Sequence, residues 1–277
     1  MEPLPAPRNP PPLLDARTIE IAFPQAGRWA PVVRGVSFAI GKGEILGLVG
    51  ESGSGKSLTA LSLLGLVPGT ARVRGEVRLE GIEGNLLTLP EREIRRVRGG
   101  RIGLVFQEPM TAFNPVYTIG FQITEAVRAH RPLSRRSARG EAVRLLERVA
   151  LPDAARRLDD YPHQLSGGQR QRAMIAMALA GGPDLLLADE PTTALDVTIQ
   201  AQILELLETL RTDLGLSVLL ITHDLGVVAE TCDRVLVMQA GEIVEEAGVE
   251  ALFAAPAHPY TRMLLAAIPR LETLEAP

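Results

Sequence analysis

Residues Gly50–Ser57, GESGSGKS, match the spacing G-x-x-x-x-G-K-[ST]. Glycines at these positions let backbone N–H groups turn inward around phosphate oxygens. A helix starting directly behind them adds partial positive charge. Lys56 would bring a full charge to the β- and γ-phosphates, and Ser57 a hydroxyl to Mg2+. Gly50, Glu51, Ser52, Gly53, Ser54, Gly55, Lys56, Ser57 and the following Leu58 are therefore assigned to phosphate binding. A chance match in a chain of this length is on the order of one per cent. The only other lysine is Lys42; the remaining basic residues are arginines.

Three further positions supply hydrolytic chemistry. DLLLADE ends in Asp189 and Glu190. Asp189 suits Mg2+ through water, and Glu190 suits polarising an attacking water. His223 ends LLITH and could reach a terminal phosphate. Gln107 ends IGLVFQ, where a neutral amide can touch both metal and water. A fourth stretch, LSGGQRQR (165–172), precedes the apolar run AMIAMALA. Ser166 could simply cap that helix, or the helix start could receive a phosphate.

The elements that would position these groups alternate between strand and helix. Short apolar runs at 44–50, 102–107, 184–190 and 217–222 read as buried strands. Residues 58–67 and TIQAQILELLETLRTDL read as helices; in the latter Ile199, Ile203, Leu206, Leu210 and Leu214 share one face. Strands separated by helices imply a parallel sheet, whose carboxyl edge is where such folds bind ligands. Gly50, Gln107, Asp189–Glu190 and His223 all fall on that edge.

Residues 18–40 and 73–80 read instead as antiparallel strands. Residues 109–165 carry no strand pattern. They hold a proline-bounded loop (EPMTAFNPV), a helix at 119–130, a basic turn (RPLSRRSARG) and the amphipathic helix EAVRLLERVAL, and read as a helical insert. VLVMQAGEIVEEA reads as a hairpin turning at Ala240–Gly241, and residues 258–269 as a helix stopped by Pro269.

Taken in order, these motifs resemble those of ABC transporter nucleotide-binding subunits, over roughly Leu14 to Pro269. GESGSGKS resembles the Walker A loop, Gln107 the Q-loop residue and LSGGQ (165–169) the signature. LLLADE resembles the Walker B strand, TALD (193–196) the D-loop and His223 the switch histidine. The resemblance implies a P-loop, RecA-like α/β fold at 14–245: a parallel sheet core, an antiparallel β subdomain and a helical subdomain inserted at about 109–180. A C-terminal extension would follow at 246–277, and a disordered proline-rich tail would precede at 1–13. It also implies ATP and Mg2+, with Ser57, Gln107 and Asp189 as metal ligands. Ser166, Gly167, Gly168, Gln169 and Asp196 would meet nucleotide at a head-to-tail dimer. Phe23, or else Trp29, would stack on adenine.

QEPMTAFNPVYTIGFQI, YPHQLSGGQRQR and HPYTRMLLAAIP resemble the oligopeptide/dipeptide (or nickel) importer branch. The branch implies a second, unlike ATPase subunit, two transmembrane permeases contacted by the insert, and an extracytoplasmic solute-binding protein. The location would be peripheral, at the cytoplasmic face of the membrane. Some members carry a C-terminal cysteine cluster, which a chain with only Cys232 does not.

The bulk composition agrees. The chain has 277 residues, 46% of them hydrophobic, with a net charge of −4; no polybasic surface suggests nucleic acid. No apolar run reaches the ~20 residues needed to span a bilayer. The rival readings are a soluble ABC ATPase acting on nucleic acid or ribosomes, another P-loop class, and a non-hydrolysing ATP-binding partner. The first usually needs long coiled coils or two cassettes. The second would leave LSGGQ idle, and no N-K-x-D is present. Glu190 and His223 argue against the third.

Overall fold

The computed structural model describes residues 11–193 and 195–267. Most of the proline-rich segment and Pro269 lie outside the described residues. Leu13, read as part of the tail, is buried, and its carbonyl accepts from the Glu80 amide at 2.9 Å.

The chain begins with strands β1 (Leu14–Gln25), β2 (Arg28–Ile40) and β3 (Ile45–Val49), then helix α1 (Lys56–Leu63), strand β4 (Arg72–Leu79) and helix α2 (Glu91–Val97). Next come β5 (Ile102–Val105), the short α3 (Pro109–Ala112), α4 (Ile119–His130), α5 (Arg135–Arg148), α6 (Ala154–Arg157) and α7 (Gly167–Ala178). The remainder is β6 (Leu185–Asp189), α8 (Val197–Leu214), β7 (Ser217–Thr222), α9 (Leu225–Thr231), β8 (Arg234–Gln239), β9 (Glu242–Gly248), α10 (Val249–Ala254) and α11 (Pro259–Ala266).

Among the described residues the strands form two sheets. One is antiparallel, in the order β2-β1-β4; the other runs β5-β6-β7-β3-β8-β9. In the second sheet all neighbours are parallel except β9, which folds back antiparallel on β8. The turn between β8 and β9 uses Ala240 at φ 47° and Gly241 at φ 90°, the paired left-handed conformation of a tight hairpin.

The parallel strands are apolar on both faces, as helix-covered sheets require. Side chains alternate between two cores. Leu186, Ala188, Val218 and Leu220 face a core shared with α4, α5, α7 and α8. Leu185, Leu187, Leu219 and Ile221 face a core shared with α1 and the antiparallel sheet. Each buried aliphatic contributes roughly 1.5–3 kcal/mol, and a one-residue slip of a central strand would force side chains of the wrong shape into both close-packed cores. The insert packs by helical spacing, with Ile119, Ile123 and Val127 on α4 against Ala138, Ala142, Leu145 and Leu146 on α5. A smaller core joins β3 and β8 to α9, α10 and α11 through Val49, Val228, Val237, Leu252 and Tyr260.

Two sequence expectations are corrected. The first helix occupies 56–63, not 58–67. It starts on the polar residues Lys56 and Ser57 and ends where Gly65 adopts φ 60°. There Gly65 N donates to Ser62 O at 3.0 Å and Leu66 N to Leu61 O at 3.0 Å, a Schellman stop that apolar periodicity does not reveal. Residues 135–140, read as a basic turn, belong to α5. Ser134 caps that helix by accepting from Ser137 N at 3.2 Å, and nothing in the following RRSAR breaks it.

Candidate active site

Strand β3 delivers the chain into the loop 50–55, and α1 carries it away. Gly50 has φ 152° and Gly55 φ 106°, backbone that a side chain would strain. A Cβ on Gly50 would collide with the carbonyl oxygen of Met238, and one on Gly55 would sit 2.9 Å from Met238 Cε. Strand β8 thus presses on the loop from behind and forbids side chains there. The hairpin tip adds a tie: Gly241 N donates to Ser54 O at 3.0 Å, and Arg34 N to Gly241 O at 2.8 Å.

Lys56 is 5% exposed, and its Nζ donates to Gly50 O at 2.7 Å and Glu51 O at 2.8 Å. Burial pulls its pKa down, while Glu190, Asp189 and Glu51 hold it up. Ser57 Oγ donates to Asp189 Oδ1 at 3.1 Å. Burial pushes the Asp189 carboxyl up, against the Ser57 hydrogen bond and Lys56. Ser54 Oγ is buried without a hydrogen-bond partner among the described residues. A partly dehydrated lysine, an unpaired hydroxyl and glycine-only backbone form a cradle with polar capacity to spare, which suits phosphate oxygens. Ser57, Asp189 and the Gln107 amide supply oxygen donors, the set a magnesium ion takes. Sequence reasoning assigned these three to the metal, and the residues fit it.

Glu190 stands one residue past the end of β6, at φ 47°. Left-handed backbone in a non-glycine residue costs on the order of 1 kcal/mol and is concentrated at functional sites. Its carboxylate accepts from Gln107 Nε2 at 2.8 Å and from Thr193 Oγ1 at 2.9 Å, and lies 3.3 Å from His223 Nδ1. The ends of β5, β6 and β7 therefore meet on one carboxylate. The His223 side chain is 62% exposed while that of Glu190 is 15% exposed; an exposed imidazole thus meets a shielded carboxylate. The structure brings together Gln107, Glu190 and His223, which the sequence reading placed on this edge; Thr193, there only the first residue of TALD, joins them. Its signal is a turn with proline in second place, Glu190-Pro191-Thr192-Thr193, closed by Thr193 N donating to Glu190 O at 3.1 Å.

The LSGGQ segment forms the start of α7. Ser166 Oγ accepts from Gln169 N at 3.3 Å, and Gln169 Oε1 accepts from Ser166 N at 3.0 Å, a reciprocal capping box. Ser166 is exposed, and Gly167, Gly168 and Gln169 are half-buried. A Cβ on Gly168 would lie 2.7 Å from Ile199 Cγ2, so α8 packs closely behind the tip. Asp196 caps α8 by accepting from Ile199 N at 2.9 Å. Both readings of Ser166 are compatible with this geometry: it caps the helix, and the tip is open to solvent. Phe23 packs against the core beneath the antiparallel sheet. Trp29 is 44% exposed, with the Arg72 guanidinium 4.1 Å above its ring.

A glycine-rich loop after a parallel strand, a buried lysine, and an acid pair at the end of a neighbouring strand define a P-loop nucleotide-binding domain. Family comparison is more specific. The model described as "ABC transporter" matches residues 33–193, and that of the "oligopeptide/dipeptide transporter, C-terminal region" matches residues 244–276. The chain is 57% identical to the probable peptide ABC transporter ATP-binding protein y4tR of Sinorhizobium fredii, over 93% of this chain and 77% of that one. It is 51% identical to the oligopeptide transport ATP-binding protein OppD of Mycobacterium tuberculosis, over 95% of this chain and 43% of that one. A solved dimeric ATP-binding cassette in a post-hydrolysis state, bound to ADP and Pi, superposes with a TM-score of 0.73 at 29% identity, covering 85% of this chain and 98% of that one. The chain belongs to the ABC transporter family, as an ATP-binding, ATP-hydrolysing subunit. Among the described residues no helix is long and apolar enough to cross a membrane.

Proposed function

We propose that the chain powers uptake of peptides or a related small solute by hydrolysing ATP beneath a pair of membrane permeases. One observation carries the hydrolytic part: Glu190, on a strained backbone, gathers Gln107, Thr193 and His223 at the sheet edge where Asp189 meets the phosphate-loop serine. Relatives named for peptide or oligopeptide transport, at 51–57% identity, support the cargo class.

Phosphoryl transfer to water needs positioning and charge neutralisation more than covalent help. The loop amides and Lys56 bind and orient the phosphates. Ser57, Asp189 and Gln107 would hold Mg2+, which supplies charge neutralisation at the phosphate oxygens when bound. Glu190 takes the proton of the attacking water, with Gln107 and Thr193 fixing the direction of its carboxylate. His223 meets that carboxylate and presents its imidazole to the terminal phosphate. Phe23 stacks on adenine; one face of Trp29 is already taken by Arg72.

The second half of the site comes from a facing subunit. The exposed tip of α7, with Ser166, Gly167, Gly168 and Gln169, suits closure over a terminal phosphate: its helix start is positive and no bulky side chain blocks approach. Asp196 lies at the same dimer surface. The working unit is a pair of unlike ATPase subunits, residues 14–245 forming the cassette and 246–277 the extension. The inserted helices at about 109–180 meet two permeases at the cytoplasmic face, and an extracytoplasmic binding protein delivers solute. The test is purification of the tagged full chain from its native membranes. Recovery of two permeases and a second ATPase, with hydrolysis stimulated by peptide-loaded binding protein, is expected. Recovery with ribosomes or nucleic acid instead would overturn the reading.

A further inference from the structure

The C-terminal helix α11 reaches the phosphate loop. Tyr260 is 5% exposed, its ring packed among Val49, Val228, Val237 and Leu252. Its hydroxyl accepts a hydrogen bond from Glu51 N at 3.1 Å, across 209 positions of sequence. That amide belongs to the Gly50–Glu51 peptide, whose oxygen accepts from Lys56 Nζ at 2.7 Å. One peptide unit is thus held at both ends, by the phosphate-binding lysine on the oxygen side and by the C-terminal tyrosine on the nitrogen side.

The tyrosine is itself held in place. Pro259 is the first residue of α11, and His258 Nδ1 accepts from Tyr260 N at 3.2 Å. The Glu245 carboxylate on β9 accepts from Ala257 N at 2.7 Å and from His258 N at 2.9 Å. His258 therefore caps the helix, Pro259 starts it, and Tyr260 makes the contact. Gly50, at φ 152°, imposes little restraint on its peptide. Without a partner on the nitrogen the peptide is restrained only through its oxygen, and Lys56, which also donates to Glu51 O at 2.8 Å, has a less sharply placed acceptor in Gly50 O.

We infer that Tyr260 is a positioning residue for ATP binding: by fixing the Gly50–Glu51 peptide, it sets where Lys56 presents its charge. The inference rests on the assignment of loop 50–57 to the nucleotide phosphates. A hydrogen bond of this kind changes a conformational population about two- to tenfold, and binding to the competent loop conformation falls by the same factor.

The test is Tyr260→Phe in the full chain, which keeps the ring packing and removes only the hydroxyl. The expected result is a two- to tenfold weaker affinity for MgATP and MgADP, with AMP, which lacks the β-phosphate, unaffected. In the assembled complex KM for ATP rises by the same factor while kcat stays within twofold, and the nucleotide-free melting midpoint holds within about 2 °C. His258→Ala, which removes the acceptor for Tyr260 N, moves affinity in the same direction, and His258→Asn, which can still accept, restores it. Unchanged MgATP affinity in Tyr260→Phe overturns the inference. So does an equal loss for AMP accompanied by a lowered melting midpoint, which assigns Tyr260 to packing. Lys56→Ala tests the underlying assignment separately: if it binds MgATP as tightly as the unaltered chain, the loop assignment falls, whatever Tyr260→Phe does.

Discussion

Replacing Glu190 by glutamine is the sharpest probe of the hydrolytic assignment. The change removes a base while sparing the geometry around it. A glutamine oxygen can still accept from Gln107 Nε2 or Thr193 Oγ1, now 2.8 and 2.9 Å from the carboxylate. The new amide N–H can donate to His223 Nδ1, now 3.3 Å away. The strained φ of 47° is unaltered, and the side chain is largely shielded, at 15% exposure. Folding is therefore expected to change by less than about 0.5 kcal/mol, the range of mild substitutions. A missing general base costs on the order of 10²–10⁴ in rate, or about 3–5 kcal/mol in the barrier at 1.36 kcal/mol per decade. The assay is steady-state phosphate release by the assembled complex, alongside equilibrium ATP binding. Turnover should fall at least a hundredfold with binding within threefold. Turnover within tenfold of the unaltered protein would refute the base assignment, and a lost melting transition would refute the claim that geometry is spared.

Three other outcomes are expected. Asp189→Asn should raise the nucleotide-free melting midpoint near neutral pH while abolishing hydrolysis. Burial raises the Asp189 pKa, so its ionised form is a cost to the fold that vanishes as pH falls through that raised value. The stabilisation should accordingly shrink on acidification; melting curves at several pH values check it. Phe23→Ala should weaken ATP affinity about tenfold, since stacking on a base is worth roughly 1–3 kcal/mol, and Trp29→Ala should leave it within twofold, measured by nucleotide titration. Ser166→Ala removes the cap that accepts from Gln169 N and should cost about 1 kcal/mol of stability, visible as a lowered melting midpoint.

What could be read from sequence was whatever is encoded locally. The glycine-rich loop, the acid pair after DLLLA, the amphipathic helix TIQAQILELLETLRTDL and the Ser166 cap depend on spacings within a few residues. The antiparallel strands and the hairpin at Ala240–Gly241 were equally local. The start of α1 was misjudged because its first turn is polar: Lys56 and Ser57 turn toward Gly50, Glu51 and Asp189 rather than toward apolar neighbours. The basic run at 135–140 resembled a turn because its arginines hide a helical face that shows only from Ala138 onward. Contacts between distant segments left no trace at all. Tyr260 against Glu51, and Met238 behind Gly50, arise from how β8 and α11 fold back on β3. No periodicity in either segment announces them.

The division of β6 and β7 between two cores carries its own consequence. Leu186 and Val218 lean toward the helices proposed to follow the permease, Leu187 and Leu219 toward α1 and the strands around the nucleotide. Trimming Leu186 to alanine would open space beneath α4, α5, α7 and α8 while α1 and the antiparallel sheet keep their support; trimming Leu187 would do the reverse. Adjacent residues on a single strand thus brace different layers, so the helical layer and the layer around α1 can be loosened independently through changes only one residue apart.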